Sequence, residues 1–342
     1  MYSCPSFCET PVSAGEMTCL IFTKSGRYLT DKVFRYLFIN ILVMSQKWLI
    51  LLMVTLPGFL SDSQAQQVPD TSYLYATHAP AYPSGQGPAV MIDAAHHNLH
   101  TREGGFSPFA RLLEQDGYRV GDLSVAVNDP VILKDCRILV IANALDSSNL
   151  RRWILPTPSP FTKNEIGIIR QWVRDGGNLL LIADHMPFAG AATDLGRAFG
   201  IEFLNGFAFT GEQSWPPSVF SRRDGTLEEL PVTRGVKNGD KIDSLATFTG
   251  SAFKAPGSAR PVLSFLPGDW SLQPDTAWRF NGRTPRLGLE GYLQGAVLEY
   301  GRGKVAVFGE AAMFTAQVVN GTHKVGFNSK AAPQNARFTL NL

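Results

Sequence analysis

The sequence predicts an α/β protein built on a doubly wound, mainly parallel β-sheet. Short apolar runs that end in polar residues alternate with amphipathic helical segments, which is the order of a parallel sheet covered on both faces. The clearest run is 178–183, which follows Gly176-Gly177 and leads into Asp184-His185. A run of this kind is typical of a fully buried strand. Because ligands of such sheets bind beyond the carboxyl ends of the strands, we expect the functional site there.

The first part of the domain is predicted to contain a strand, a helix and two more strands. Ser107 suits a helix N-cap, and Pro108 suits the first helical position, where its missing N–H costs nothing. Phe109, Leu112 and Leu113 give this helix an apolar stripe. The predicted elements are a strand over 88–93, a helix between 107 and 117, and strands over 118–127 and 135–143.

The next helix has the strongest local signal in the chain. Thr162 and Glu165 match a capping box, and Phe161 and Ile166 occupy the positions of a hydrophobic staple. Apolar residues then repeat at helical spacing until the two glycines that precede the strand at 178–183. This segment is therefore predicted to be a crossover helix between two buried strands.

The rest of the domain combines a turn-rich insertion with a final hairpin. After a short predicted helix at 191–199, residues 205–281 contain dense turns and short strands, which we interpret as an insertion in the same domain. Gly301-Arg302-Gly303 predicts a tight hairpin, and the strand that follows it ends in Glu310. One α/β domain is therefore predicted over 88–342, with the insertion inside it.

The N-terminus is predicted to contain an export signal. One lysine precedes the apolar run at 48–56, and Ser63-Gln64-Ala65 places small residues at the positions that a signal peptidase reads. We therefore expect a signal peptide at 44–65, after an upstream extension at 1–43 that comes from a misplaced start. Residues 66–87 are expected to be a lead-in segment over the surface.

A membrane anchor is the alternative interpretation of this segment. Residues 33–43 are also apolar and could lengthen the span. Polar and charged residues interrupt it, however, and a clean span needs about 20 apolar residues. The protein is therefore expected to be periplasmic or secreted, with no stable membrane span after cleavage.

Charge and cysteine usage exclude several classes of protein. The chain has 31 basic and 29 acidic residues and a net charge of +2, so we expect no electrostatic footprint for nucleic acid or anionic lipid. Cys136 is the one cysteine beyond the N-terminal extension, which excludes a disulfide framework. It lies at the start of its strand and is expected to be a buried structural cysteine.

Three polar clusters follow predicted strands, and they are expected to share one crevice. They are Asp93 with His96, His97 and His100; Asp184 with His185; and Glu310. Because imidazole and carboxylate are the ligands that zinc prefers, one interpretation is a divalent metal site formed by Asp93, His96, His100 and His185. A second is acid–base catalysis without metal, in which a carboxylate sets a histidine pKa near neutrality. A third is structural, with the side chains capping loops.

The candidate residues fall into two further groups. Those predicted to be catalytic are His185, Asp184, His96 and Glu310, and those predicted to bind substrate are His97, Asn98 and Asn143. Spacing does not choose between the interpretations, because no H-E-x-x-H, C-x-x-C or G-x-S-x-G pattern is present. Trp215, Trp270 and Trp278 are candidates for a sugar-stacking wall, and their alternative role is packing.

Three segments resemble bacterial class I glutamine amidotransferase-like proteins, and among them the ThuA-like proteins. The segments are 93–101, 161–185 and 305–314, and the resemblance extends over Pro88 to Leu342. It implies a flavodoxin-like fold. True amidotransferases of this group place a nucleophilic cysteine after the strand that matches 178–183, where this chain has Asp184-His185-Met186. The resemblance therefore implies neither thiol chemistry nor glutaminase activity, and histidine at this turn in ThuA-like proteins supports His185 as a site residue.

Two functional hypotheses follow from the sequence. The first is an exported hydrolase, with or without a metal ion, that acts on a small polar or carbohydrate-related substrate at the carboxyl edge of the sheet. The second is a module that binds a ligand or a protein without catalysis, on an amidotransferase-like scaffold that has lost its nucleophile.

Overall fold

A computed structural model of the protein describes residues 67–76, 79–212, 216–235 and 239–342. The predicted extension at 1–43 and the predicted signal peptide at 44–65 lie outside the described residues, as does Trp215. Within the described ranges, no helix has both the length and the apolar character that crossing a membrane requires.

The described residues contain seventeen strands and six α-helices. The strands are β1 (Gln67–Pro69), β2 (Ala89–Asp93), β3 (Arg119–Leu123), β4 (Ile138–Ala142), β5 (Asn178–Ile182), β6 (Glu202–Leu204), β7 (Phe207–Phe209), β8 (Ser218–Ser221), β9 (Ser244–Thr247), β10 (Ala252–Lys254), β11 (Arg260–Ser264), β12 (Trp270–Leu272), β13 (Arg286–Gly288), β14 (Leu293–Tyr300), β15 (Gly303–Phe308), β16 (Ala316–Val319) and β17 (His323–Gly326). The helices are α1 (Ser107–Gln115), α2 (Lys163–Arg174), α3 (Phe188–Ala191), α4 (Thr193–Arg197), α5 (Pro231–Arg234) and α6 (Asn335–Asn341).

Nine strands form one large mixed sheet, so the predicted α/β class is confirmed. Its path is β3-β2-β4-β5-β15-β14-β10-β6, and β11 also pairs with β14. The first five of these strands are mutually parallel, whereas β14, β10, β6 and β11 pair antiparallel. The polar residues that follow β2, β4, β5 and β15 therefore leave the sheet at one edge.

Helices cover both faces of the sheet, and each face has its own apolar core. Along β5, Leu180 and Ile182 face the core that contains α1, whereas Leu179 and Leu181 face the core that contains α2. This alternation is the period of two that a strand imposes on its side chains. Fully burying a leucine contributes about 1.5–3 kcal/mol, so both faces of this strand stabilise the sheet.

Helix α2 begins as the sequence predicts. The hydroxyl of Thr162 accepts a hydrogen bond from the backbone N–H of Glu165, and the Glu165 carboxylate accepts one from the backbone N–H of Thr162. Helix α1 differs slightly from the prediction, because Phe106 holds the N-cap position and Ser107 is the first helical residue.

The predicted hairpin between β14 and β15 is confirmed. Tyr300 pairs with Gly303, so a two-residue turn joins the strands. Gly301 has φ +63°, and a Cβ there would overlap the carbonyl oxygen of Arg174 at the end of α2. Glycine is required at this turn both by its backbone conformation and by the close approach of the helix. The hairpin places β15 beside β5 with Glu310 just beyond its end.

Smaller sheets surround the large one. Strands β7, β12 and β13 form a three-stranded sheet, β8 pairs with β9, and β1 joins β16 and β17. The segment interpreted as an insertion thus supplies strands both to these sheets and to the antiparallel part of the large sheet.

Candidate active site

Four loops meet beyond the carboxyl ends of the parallel strands. The backbone N–H of Leu99 donates to the carbonyl of Asn143 over 3.0 Å, which joins the loops after β2 and β4. The side chain of Asn143 accepts from the backbone N–H of Asp184 over 2.9 Å. The carboxylate of Asp184 in turn lies 3.4 Å from the backbone N–H of Ala311, next to Glu310. The predicted convergence of these loops is therefore present in the structure.

His96 bridges two buried carboxylates. Its Nδ1 lies 3.0 and 2.9 Å from the two carboxylate oxygens of Asp93, and its Nε2 lies 3.0 Å from Oε1 of Glu165. All three side chains are buried. Because a carboxylate only accepts hydrogen bonds, this arrangement suits a ring that donates from both nitrogens. Burial alone would lower the pKa of His96, but the hydrogen bonds and charges of Asp93 and Glu165 outweigh it and raise that pKa.

Glu165 both caps helix α2 and binds His96. One carboxylate oxygen accepts from the backbone N–H of Thr162 at the start of α2, over 2.9 Å. The other accepts from His96 and, over 3.1 Å, from the backbone N–H of Val127. Its pKa is lowered, because these hydrogen bonds and the charge of His96 outweigh burial, which is the largest single influence and raises it. Sequence analysis identified Glu165 as a capping residue but missed it as the partner of His96.

This bridge gives His96 a role different from the predicted one. Both ring nitrogens are held by carboxylate oxygens, Nδ1 by Asp93 and Nε2 by Glu165. Among the described residues, no three His, Cys, Asp or Glu side chains are arranged so that they could hold a metal ion. The predicted set of Asp93, His96, His100 and His185 therefore does not fit a zinc site in this arrangement, because Asp93 and His96 bind each other.

Asp184 and Glu310 form an acidic pair at the centre of the edge. Glu310 is 1% exposed, and its two oxygens accept from the backbone N–H groups of Ala312 and Met313 over 2.8 and 2.7 Å. Burial and the neighbouring charge of Asp184 raise the pKa of Glu310 well above its ordinary value, although its backbone hydrogen bonds oppose this. Asp184 is half-buried and accepts from the N–H of His185 over 2.7 Å. A fully buried carboxyl group whose pKa is raised therefore lies beside a half-buried one that solvent reaches.

Two further polar side chains at this edge have an atom without a hydrogen bond among the described residues. These atoms are Nδ1 of His100 and Nδ2 of Asn143, and both are buried. Burial lowers the pKa of His100 to about 4, against the charge of Asp184, so its ring is neutral near pH 7. Asn143 has φ +52°, a conformation that asparagine tolerates better than most residues. Buried polar groups without partners are uncommon in folded proteins, and at a sheet edge of this kind they indicate a ligand site.

His185 points into an aromatic cluster. Its Nδ1 donates to the carbonyl of Met186 over 2.6 Å, so that bond leaves Nε2 as the other ring nitrogen. The ring stacks on Phe207, with 4.5 Å between centroids and an interplanar angle of 12°, and meets Trp278 at 4.7 Å. Phe207 belongs to the insertion, and sequence analysis missed it because the position follows β6 rather than a parallel strand.

The other predicted residues serve the loops around the site. His97 is exposed, whereas the amide of Asn98 accepts from the N–H of His96 over 3.1 Å and therefore shapes the loop. Cys136 is buried as predicted, and burial raises the pKa of its thiol to about 12. Trp270 stacks on Phe209 at 4.4 Å and carries the guanidinium of Arg286 at 4.1 Å, which makes it a packing residue.

Replacing Gly105 with alanine should displace the ring of His100. A Cβ at position 105 would overlap Nδ1 of that ring, which is also stacked on Phe106. We expect the free energy of unfolding to fall by about 1–3 kcal/mol, the usual cost of overpacking. Gly167→Ala is the control, because a Cβ there meets nothing within 4 Å on helix α2 and should stabilise by about 0.5–1 kcal/mol. Urea unfolding of both variants checks this, and equal effects would contradict the packing of His100.

Two surface cavities lie away from the polar edge. One, of about 460 Å³, is lined by residues on the outer side of α2 such as Lys163 and Trp172. The other, of about 340 Å³, is lined by Thr157, Gly190 and Asn205 among others. Neither of these two cavities is lined by Asp184, Glu310 or the histidines.

The fold and the site together define a mixed α/β protein with an acid-rich cluster at the carboxyl edge of its parallel strands. Comparison with known proteins gives no matching family model and no matching curated protein. Several solved structures are similar in fold. The mmIFT52 N-terminal domain aligns with a TM-score of 0.47 at 15% identity, over 66% of this chain and 88% of that one.

Two bacterial structures are similar to a comparable degree. A ThuA-like protein from Bacteroides uniformis aligns with a TM-score of 0.41 at 14% identity, over 79% of this chain and 92% of that one. The cytoplasmic protein STM3548 from Salmonella typhimurium aligns with a TM-score of 0.44 at 14% identity, over 74% and 96% of the respective chains.

Proposed function

We propose that this protein is a hydrolase that uses Asp184, with Glu310 beside it, for acid–base chemistry on a small neutral substrate rich in hydroxyl groups. The observation that carries the proposal is the pair itself, in which the fully buried carboxyl group of Glu310, with a raised pKa, lies beside the half-buried one of Asp184.

The substrate class follows from the charges at the edge. Within the part of the chain that the structure describes, no lysine or arginine forms an ion pair with Asp184 or Glu310. An anionic substrate would meet an acidic pair without a compensating cation. A hydroxyl group can donate to Asp184 and accept from the free amide N–H of Asn143, so sugars and polyols suit this cluster best.

Asp184 is the group that reaches the substrate, because Glu310 is fully buried behind it. Asp184 accepts a proton from the attacking water and returns it to the oxygen of the leaving group, so water is consumed and the carboxylate is restored. Glu310 retains its proton and limits the pair to one negative charge. Nε2 of His185, the next residue, forms a hydrogen bond with a second hydroxyl group.

The second candidate function is a module that binds such a ligand without turnover. It is favoured by the near-complete burial of Glu310, which keeps this carboxyl group away from a substrate. Fold alone does not separate these two functions.

A ligand-stabilisation screen followed by a turnover assay tests the proposal. Neutral sugars and polyols should raise the melting temperature of the protein, by the equivalent of about 2.7 kcal/mol at a concentration of 100 times Kd. The matching sugar phosphates should not. Ligands that stabilise are then tested as glycosides or esters for product release. Stabilisation without product would establish the binding module instead, and stabilisation by anions alone would contradict both functions.

We also propose a fold family and a cellular location for this protein. The parallel strands lie in the order second, first, third, fourth, fifth along the chain, which supports the flavodoxin-like, amidotransferase-like interpretation. Export rests on the signal-peptide pattern at 44–65. Because no cysteine directly follows β5, the proposal does not include glutaminase chemistry.

A further inference from the structure

Two loops form a single exposed surface beside the aromatic cluster of His185. We call residues 150–155 and 278–283 the two-loop surface. The backbone N–H of Ala277 donates to the carbonyl of Trp153 over 2.8 Å, and that of Leu155 donates to the carbonyl of Asp275 over 2.9 Å. A β-bridge between Ile154 and Thr276 completes the connection. The loops are therefore adjacent although more than one hundred residues separate them in sequence.

Large apolar side chains are concentrated on this surface. The exposed ones are Leu150 (46%), Ile154 (36%), Leu155 (45%), Trp278 (43%) and Phe280 (39%). Single exposed apolar residues are ordinary on protein surfaces, but a contiguous group marks an interaction site. The group combines aliphatic and aromatic side chains on loops.

The same two loops are basic. They contain Arg151, Arg152, Arg279 and Arg283 and no acidic residue, although Asp275 lies three residues before Trp278. All four arginines are exposed, and none forms an ion pair within the described ranges of the chain. The net charge of +2 for the whole protein conceals this local excess. The sequence-based expectation that the protein has no basic surface for anionic lipid depended on the net charge of the whole chain, which does not show a local excess.

The surface is held in place from beneath. The amide of Asn149 donates to the backbone carbonyls of Arg152 and Ile154 over 3.1 and 2.9 Å. Trp278 and Phe280 contact the buried ring of Phe207, with centroid distances of 4.7 and 5.1 Å. Because the loops are preformed, binding to them requires little ordering of the backbone.

We propose that the two-loop surface binds peripherally to the surface of an anionic lipid bilayer. Arginines attract acidic headgroups, while tryptophan, phenylalanine and aliphatic side chains enter the boundary between headgroups and acyl chains. Nucleic acids and acidic polysaccharides would use the arginines and the aromatic rings but would leave Leu150, Ile154 and Leu155 in water. The aliphatic residues therefore favour lipid as the occupant. This inference is independent of the proposed catalytic function.

Vesicle sedimentation with the full chain tests the inference. Wild-type protein should bind vesicles that contain phosphatidylglycerol, with an affinity that falls with salt, and should bind pure phosphatidylcholine weakly. The variant Arg151→Gln/Arg152→Gln/Arg279→Gln/Arg283→Gln should lose at least about tenfold in partitioning to anionic vesicles. The variant Leu150→Gln/Ile154→Gln should bind vesicles more weakly than wild type at both low and high salt. At high salt the charges are screened, and the apolar contribution that this variant lacks is what remains.

Matched controls separate this surface from the rest of the chain. Arg137→Gln/Arg170→Gln/Arg234→Gln/Arg260→Gln removes the same charge from exposed arginines elsewhere, and Val125→Gln/Val131→Gln removes exposed apolar groups elsewhere. Both controls should bind like wild type, and circular dichroism should show the same fold in every variant. Because the apolar run at 48–56 is present in all of them, equal binding by the four-arginine variant and wild type would overturn the inference. Binding to heparin or DNA without binding to vesicles would also overturn it.

Discussion

Replacing His96 with alanine should lower the free energy of unfolding by about 3–5 kcal/mol near pH 6. The change removes the imidazolium between the buried carboxylates of Asp93 and Glu165, so two negative groups lose their shared partner. Removing one partner of a buried ion pair is costly, because the remaining charge stays out of water without compensation. Urea unfolding of wild type and variant measures the difference.

The pH dependence of this difference identifies its cause. The pKa of His96 is raised in the folded protein above its ordinary value of 6.5, so the bridge contributes fully below about pH 6.5 and is lost as pH rises through the folded pKa. The difference in the free energy of unfolding between wild type and His96→Ala should therefore become smaller at alkaline pH. His97→Asn is the control, because His97 is exposed with φ +48° and asparagine tolerates that backbone. If the difference in the free energy of unfolding stayed constant from about pH 6 to pH 10, this would contradict an imidazolium bridge.

Replacing Asp184 with asparagine should lower turnover of an identified substrate by at least about 100-fold, the usual contribution of a positioned general base. Asparagine preserves the size of the side chain and can still accept from the N–H of His185. It cannot accept a proton from water. The matched control is Asp194→Asn on helix α4, which removes an exposed carboxylate that pairs with Arg197 over 3.6 Å.

The same variant should change the titration of Glu310. The charge of Asp184 helps to raise the pKa of Glu310, so its removal should lower that pKa. In wild type, activity should fall as pH rises through the folded pKa of Glu310, because the pair then holds two negative charges. Infrared spectroscopy follows the protonated carboxyl directly, and its band should disappear at a lower pH in Asp184→Asn. A band that titrates identically in both proteins would show that the two groups do not interact.

Local patterns were sufficient to predict the parallel core. The apolar run of β5 between two glycines and Asp184, the capping box of α2 and the glycine hairpin before β15 each depend on neighbouring residues. Local rules of this kind do not require knowledge of distant contacts. The same rules located the polar edge, because the carboxyl ends of parallel strands share one side of a sheet.

Side-chain directions within the site could not be predicted in the same way. His96 meets Glu165, 69 residues away, and this contact converts a candidate ligand into a buried cation. His185 turns toward Phe207 instead of toward Glu310, because the insertion supplies the aromatic partner. Sequence spacing places a side chain on a loop, whereas packing against distant segments decides which atoms it meets.

The insertion also contributes to the acidic pair. The backbone N–H of Phe248 interacts with the carboxyl of Glu310, and neighbouring Thr249 has φ +98°. Turn-rich composition predicted loops and short strands in this region, but no local signal placed one of these loops against the end of β15. That placement depends on the antiparallel pairing of β10 with β14.

Strand β15 lies between β5 and β14, so it is the seam between the parallel and antiparallel parts of the large sheet. During synthesis the parallel part is complete through β5 long before residue 303 leaves the ribosome, and one edge of β5 has no neighbour until then. An unpaired apolar strand edge is the kind of surface that invites association between nascent chains. The C-terminal hairpin is therefore the element that covers this edge of β5.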